Sequence, residues 1–178
     1  MVDHVILVDE NDRQVGIMPK LEAHEKGFLH RAFSVFIFNL KGELLLQQRS
    51  LSKYHSPGLW TNTCCSHPKE AESIEDAATR RLKEEMGLSC KLEKKFDFVY
   101  KTTFDNGLTE HEFDHVFFGR SNDYPRIDSG EVLSWNYFSI DEIENELTLQ
   151  PEIFTEWFKI CFHKVKQLAN ECTSSSIE

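Results

Sequence analysis

The chain has 178 residues, 40% of them hydrophobic and 14 of them Phe, which is enough for one sizeable core and gives little reason to divide it. A formal charge of −10 argues against a broad nucleic-acid or anionic-membrane footprint, so an anionic ligand must meet cations gathered locally. Cys64, Cys65, Cys90, Cys161 and Cys172 form an odd set without disulfide-framework spacing, no signal-peptide pattern opens the chain, and no apolar run nears the roughly 20 residues that span a bilayer, so a cytoplasmic protein without membrane insertion is expected.

Residues 5–8, the turn-forming Asp9-Glu10-Asn11-Asp12 and residues 15–18 read as a hairpin. Residues 30–38 are rich in Phe, Val and Ile, Asn39 to Gly42 supplies a turn, and the run from Leu44 toward Arg49 completes a second hairpin. After Pro57-Gly58, residues 60–66 are rich in Thr and Cys. In an extended chain Thr61, Thr63, Cys65 and His67 share one face and Cys64 points the other way. Ser73 opens a helix: Ser-Ile-Glu-Asp resembles a capping box, Ile74, Ala77, Ala78, Leu82 and Met86 recur at helical spacing, and Gly87 stops it. Strand patterns return at 96–100 and 110–118 around the turn Asp105-Asn106-Gly107. Pro151 starts a final helix with Phe154, Trp157, Phe158, Cys161, Val165 and Leu168 on its apolar face. Residues 170–178 are polar and expected to be a disordered tail behind a single domain spanning 1–169. The fold expected is α/β (α+β), a mixed β-sheet sandwich flanked by helices.

Several polar residues stand out against this frame. His24 and His30 flank a loop-to-strand junction, His67 ends the Cys-bearing strand, and Glu110 and Glu112 share one strand face. Imidazole mixed with carboxylate suits six-coordinate Mn²⁺, Mg²⁺ or Fe²⁺, and Zn²⁺ also takes such ligands. On spacing alone the plainer reading prevails, because eight histidines and thirty acids produce many chance sets. Core histidines usually hydrogen-bond, and a Glu pair usually lies on a solvated face.

The stretch Ser66-His67-Pro68-Lys69-Glu70-Ala71-Glu72, continuing through Arg80, Arg81, Glu84 and Glu85 to Gly87-Leu88, resembles the loop-helix-loop signature of the Nudix superfamily. There the clustered glutamates hold divalent ions against a diphosphate, as hard carboxylate oxygens suit Mg²⁺. A merely charged helix face is the alternative. Two positions depart from the signature: Ser66 stands where a Gly usually begins it, and Arg81 where a Glu usually follows the Arg. The second change disfavours hydrolysis. It puts a cation one helical turn from Glu85, able to meet phosphate oxygens at the same site.

Trp60-Thr61-Asn62-Thr63-Cys64-Cys65-Ser66-His67-Pro68 is similar to the type 1 isopentenyl diphosphate isomerase family, built on the Nudix fold. The likeness extends over nearly the whole chain, taking in Leu21-Glu22-Ala23-His24, Leu29-His30-Arg31-Ala32-Phe33-Ser34, Gln48-Arg49-Ser50-Leu51-Ser52-Lys53, Glu84-Glu85-Met86-Gly87 and Glu110-His111-Glu112. The resemblance implies an isomerase that interconverts isopentenyl and dimethylallyl diphosphate by moving protons. It implies His24, His30, His67, Glu110 and Glu112 as ligands of a principal metal, and Glu85 with the backbone carbonyl of Cys65 as the site of a second ion, Mg²⁺. It implies Lys20, Arg49, Lys53 and Arg81 as diphosphate-binding cations, Cys65 and Glu112 as the catalytic pair, Tyr100 as support for Glu112, and Trp157 over the alkene. The expected cofactors are Mg²⁺ and Mn²⁺, with Zn²⁺ an option at the His/Glu site. The partner is a small alkenyl diphosphate, with no nucleic acid, and the chain is expected to act as a monomer or weak homodimer.

These residue types suit the chemistry. Moving an unactivated double bond passes close to a tertiary carbocation, so the site must exclude water, and an indole face offers a cation roughly 2 kcal/mol or more when desolvated. A thiol and a carboxyl on opposite sides of the alkene can give and take the protons. The rivals are a Nudix pyrophosphohydrolase, which Glu72, Arg80, Glu84 and Glu85 would suit, a catalytically idle diphosphate-binding module, and a structural zinc site, which the lack of a Cys-x-x-Cys pair disfavours.

Overall fold

The structure, a computed structural model, describes residues 3–174. The first predicted hairpin is present as β1 (His4–Val8) and β2 (Gln14–Pro19), its turn held by Asp9 Oδ1, which accepts from the N–H groups of Asn11 and Arg13 at 2.9 Å each. A short helix, α1 (Lys20–Lys26), stands where the sequence suggested only loop, since seven residues hardly display a period. β3 (His30–Phe38) and β4 (Leu44–Arg49) form the second hairpin, paired only at Ile37↔Leu45 and Phe38↔Leu44.

The expected continuous strand over 60–66 is two short ones, β5 (Trp60–Thr61) and β6 (Cys64–Ser66). β5 pairs with β4 and β6 pairs with β3. Side chains between them take over the backbone's hydrogen bonding. Thr63 Oγ1 accepts from Ile37 N at 2.9 Å and donates to Leu45 O at 2.6 Å, while Asn62 Nδ2 donates to Cys64 O at 2.7 Å. Helix α2 (Ile74–Met86) begins at the predicted cap, where Ser73 Oγ accepts from Asp76 N at 3.1 Å. The reciprocal half of a capping box is not made there. Gly87 closes the helix at φ 66.

The next strands run further than their sequence patterns, as β7 (Leu92–Thr103) and β8 (Thr109–Arg120), and are followed by two elements the sequence reading passed over, β9 (Val132–Phe138) and α3 (Ile140–Leu149). Pro151 does not start the last helix. It opens a 3₁₀ turn, Pro151–Ile153, after which Phe154 bridges Trp60 and Thr155 N donates to Trp60 O at 3.0 Å, so α4 (Glu156–Ser174) begins later. α4 carries helical backbone through Ser174 into the segment expected to be unordered, and 175–178 lie outside the described residues.

β3 is the centre of the sheet. One edge runs parallel to β8 from His30↔Glu112 to Phe38↔Arg120, and the other is shared in succession by β1, β6 and β4. β7, β9 and β2 extend the sheet outward from β8, β4 and β1. Alternation then sorts the side chains. Phe33, Val35 and Ile37 pack with Ala77, Leu82 and Met86 of α2, and Phe36 and Phe38 pack with Phe158, Cys161 and Phe162 of α4. Burying Phe36 or Phe158 completely contributes roughly 1.5–3 kcal/mol each. On the α4 face this apolar packing stops midway along the central pair: Phe36 gives way to Ser34, and Val116 to Asp114 and Glu112. The mixed sandwich therefore ends, on one face, in a polar floor.

Candidate active site

That floor opens into a cavity of about 70 Å³ lined by Cys65, His67, Tyr100, Glu110, Glu112 and Trp157, with Lys20, Arg49, Lys53 and Arg81 also on its wall. The strand pair explains Cys65 and His67. Cys64 is completely buried against α2, so its neighbour Cys65 faces the opposite side of the sheet, where it packs beside the α4 cluster. Burial pushes the Cys65 thiol up to about 12, against the pull of Arg49, so it is protonated at neutral pH.

Four of the five expected metal ligands converge. One ligand atom from each of His24, His30, His67 and Glu112 lies within 4.8 Å of every other. The Nε2 atoms of His24 and His30 are 3.3 Å apart, and Glu112 Oε1 is 3.0 Å from His67 Nε2 and 3.4 Å from His30 Nε2. α1 supplies His24, the start of β3 supplies His30, and the parallel register sets Glu112 beside it. Burial, joined by the neighbouring imidazoles, pushes His24 down to about 3; burial, joined by Lys20, pushes His67 down to about 4. Both rings are neutral, the form that ligates a cation. Burial acts to raise Glu112, but contacts with His30 and His67 outweigh it and hold the carboxylate well below its usual range.

The fifth expected ligand, Glu110, takes other partners. Its Oε1 is 3.2 Å from His55 Nε2, and its Oε2 accepts from the Tyr100 hydroxyl at 3.1 Å. Burial and the charge on Glu112 push its pKa well up. Tyr100 also reaches Glu112 Oε2 at 2.7 Å, so this hydroxyl ties the two carboxyls together. The sequence reading missed His55. Burial pushes it down to about 2, and its ring lies against Phe104 with centroids 5.0 Å apart. The reading also missed Tyr54, whose hydroxyl is 3.1 Å from His24 Nδ1 and fixes that ring. They are the two residues after Lys53, and nearness to that cation was the only signal available.

Three of the four cations are braced by neighbouring side chains or carbonyls, two of them by a shared carboxylate. Arg49 donates to the carbonyls of Ser56 and His55 at 3.1 Å each and lies 5.1 Å above the Trp157 ring. Trp157 donates through Nε1 to Asn62 Oδ1 at 3.2 Å. Arg81 reaches Glu84 at 2.9 Å and Glu85 at 2.5 Å, while Glu131, another residue the sequence reading passed over, pairs with both Arg81 and Lys53. Glu85 is buried, takes a hydrogen bond from Gln47 Nε2 at 3.0 Å, and does not itself line the cavity. Arg80 turns away from the cavity to grip Glu72 at 2.7 Å and Glu84 at 3.1 Å, pinning the loop before α2.

The model of the NUDIX domain matches residues 28–158. An isopentenyl-diphosphate Delta-isomerase of Pectobacterium atrosepticum is 55% identical over 161 residues, covering 90% of each chain, and one of Aromatoleum aromaticum is 49% identical, covering 93% of this chain and 87% of its own. The chain belongs to the isopentenyl-diphosphate Delta-isomerase family. Solved structures share the fold at lower identity. A Deinococcus radiodurans protein aligns with TM-score 0.69 and 18% identity over 83% of this chain and 90% of its own, and a MutT protein of Methanosarcina mazei aligns with TM-score 0.65 and 19% identity over 78% and 94%. Within this family's fold the cavity lies among residues of the sheet, with Trp157 of α4 and Arg81 of α2 on its wall. Among the described residues no helix is long and apolar enough to cross a membrane.

Proposed function

We propose that this chain interconverts isopentenyl diphosphate and dimethylallyl diphosphate by adding a proton at one carbon of the substrate and removing one from another. The observation that carries this reading is the meeting of Cys65 and Glu112 on one small cavity whose wall also bears four cations. A protonated thiol and an ionised carboxylate form a pair that can give one proton and accept another. Tyr100 orients Glu112 through its 2.7 Å hydrogen bond. Arg49, Lys53, Arg81 and Lys20 would neutralise the diphosphate, and Trp157, with the Arg49 guanidinium over its ring, would cover the alkene.

Three imidazoles and a carboxylate are a fitting donor set for a divalent ion. His24, His30, His67 and Glu112 would hold it, Mn²⁺ and Mg²⁺ being the preferred ions and Zn²⁺ the competitor, with Glu110 joining once it leaves His55. Such an ion supplies positive charge beside Glu112 and fixes that carboxylate in place. Glu85 and the Cys65 carbonyl would hold a second ion, Mg²⁺, brought by the diphosphate, which requires Arg81 to exchange Glu85 for phosphate oxygens. A pyrophosphohydrolase is the second reading, favoured by the retained Glu72, Glu84 and Glu85. Arg80 occupies two of these carboxylates and Arg81 neutralises the third, which leaves that reading without a free base.

The test is incubation with isopentenyl diphosphate in D₂O. Deuterium should enter both isomers with the native chain, and Cys65→Ala and Glu112→Gln should each abolish it. Retained exchange in both variants, or release of phosphate in place of isomerisation, would overturn the assignment.

A further inference from the structure

Glu131 has no role in the proposed function, yet its main chain is tied on both sides, its N–H donating to Asp128 O at 3.0 Å. In the segment joining β8 to β9, Arg126 N donates to Met86 O at 2.8 Å and Asp128 N donates to Glu85 O at 2.9 Å, fastening the segment to the end of α2. Gly87 permits this contact, for a Cβ there would meet the Cβ and carbonyl oxygen of Arg126 at 2.8 Å. The Glu131 carbonyl accepts from Ser50 N at 3.0 Å, tying the same segment to the loop that carries Lys53. The Glu131 side chain then spans both partners, pairing with Lys53 and lying 3.3 Å from Arg81 Nη2.

The two cations arise from different elements. Lys53 sits on a long, flexible stem in a loop, and its backbone has one weak turn contact, 3.3 Å to Ser50 O. Arg81 projects from α2 with its Nε buried and without a hydrogen-bond partner. Glu84 and Glu85 also hold Arg81, but in the proposed function it gives up Glu85 to phosphate oxygens; without Glu131 both side chains would then have to be ordered as the anion arrives, and that ordering weakens binding. A carboxylate fixed at its base by two elements removes that requirement for both. Lys53 and Arg81 are assigned to the diphosphate in the proposed function, and the inference rests on that assignment. We propose that Glu131 is a positioning residue for the anionic end of the ligand, holding Lys53 and Arg81 side by side so that both meet a diphosphate already oriented.

The test measures inorganic pyrophosphate binding with Mg²⁺ by calorimetry, and isomerisation kinetics, for the native chain, Glu131→Ala and Glu131→Gln. Glu131→Ala should weaken pyrophosphate about tenfold and raise KM similarly while kcat stays within about twofold, the size of effect expected when two side chains lose their preordering. Glu131→Gln keeps the length and one acceptor oxygen and should recover part of the loss. It also carries the test if the alanine variant fails to fold. Unchanged or tighter pyrophosphate binding in both variants, or a fall in kcat at constant KM, would overturn the inference. A native chain that binds pyrophosphate without isomerising would refute the proposed reaction and leave the role of Glu131 to be decided by the binding series.

Discussion

The Tyr100 hydroxyl is the smallest unit on which the site depends. Its O–H donates to Glu112 Oε2 at 2.7 Å, and a Glu110 oxygen lies 3.1 Å from the same hydroxyl, in a buried position on the cavity wall. Hydrogen bonds to charged groups are worth about 1.5–3 kcal/mol, so Tyr100→Phe should lower kcat roughly ten- to a hundredfold and also lower the urea midpoint. A variant with native kcat would remove Tyr100 from the mechanism. Much at this scale was legible in the sequence. Alternation from Cys64 to His67 separated the two thiols because β6 keeps that stretch extended even though the longer strand is broken. His55 and Glu131 were not legible, since their meaning lies in Glu110, Lys53 and Arg81, partners the chain brings close only by folding. Glu110 could be singled out beside Glu112 on one strand face, but its contact with His55 could not.

At the level of elements, the join between α2 and the segment before β9 is the exposed weakness. Gly87 has φ 66, a region that costs other residues about 1 kcal/mol, and the space beside it is filled by Arg126. Gly87→Ala should therefore destabilise the fold by roughly 2–3 kcal/mol in urea denaturation, the overpacking adding to the backbone strain. An effect under about 1 kcal/mol would mean that Arg126 yields freely. The helix itself was readable from its period and its two ends, Ser73 and Gly87. α3 had a start signal as good, because Ser139 and Glu142 make a complete capping box, but it follows β9 without a break that would set it apart. α1 was too short to declare itself, and α4 began late because β5 claims Phe154 and Thr155 for its own edge.

For the whole molecule, the His/Glu cluster joins α1, β3, β8 and the end of β6, so a divalent ion there would bind folded chain and not unfolded chain. At a hundredfold excess over Kd it adds about 2.7 kcal/mol, and removing it with a chelator should lower Tm by about 5–10 °C. An unaltered Tm would argue that the cluster holds no ion. The lowered pKa values give this linkage a sign. His24 and His67, held down to about 3 and 4, stay neutral as pH falls, so affinity for Mn²⁺ should drop no more than about tenfold between pH 7.5 and 5.5. Ordinary imidazoles would each cost about tenfold at the lower pH, and a loss near a thousandfold would contradict the environment described here. The broad architecture was readable from the strand and helix patterns. Which strands would lie side by side was not, because pairing depends on partners distant in the chain.

The unbroken parallel register between β3 and β8 works as a reading frame for chemistry. A residue gained or lost at the Asp105-Asn106-Gly107 tip can be absorbed by the loop. The same change between Thr109 and Glu112 would turn the strand over, offering His111 and Phe113 where carboxylates now stand and carrying His115 off its 3.0 Å contact with Asp12. Length variation among such chains should therefore collect at that tip and spare residues 109–112.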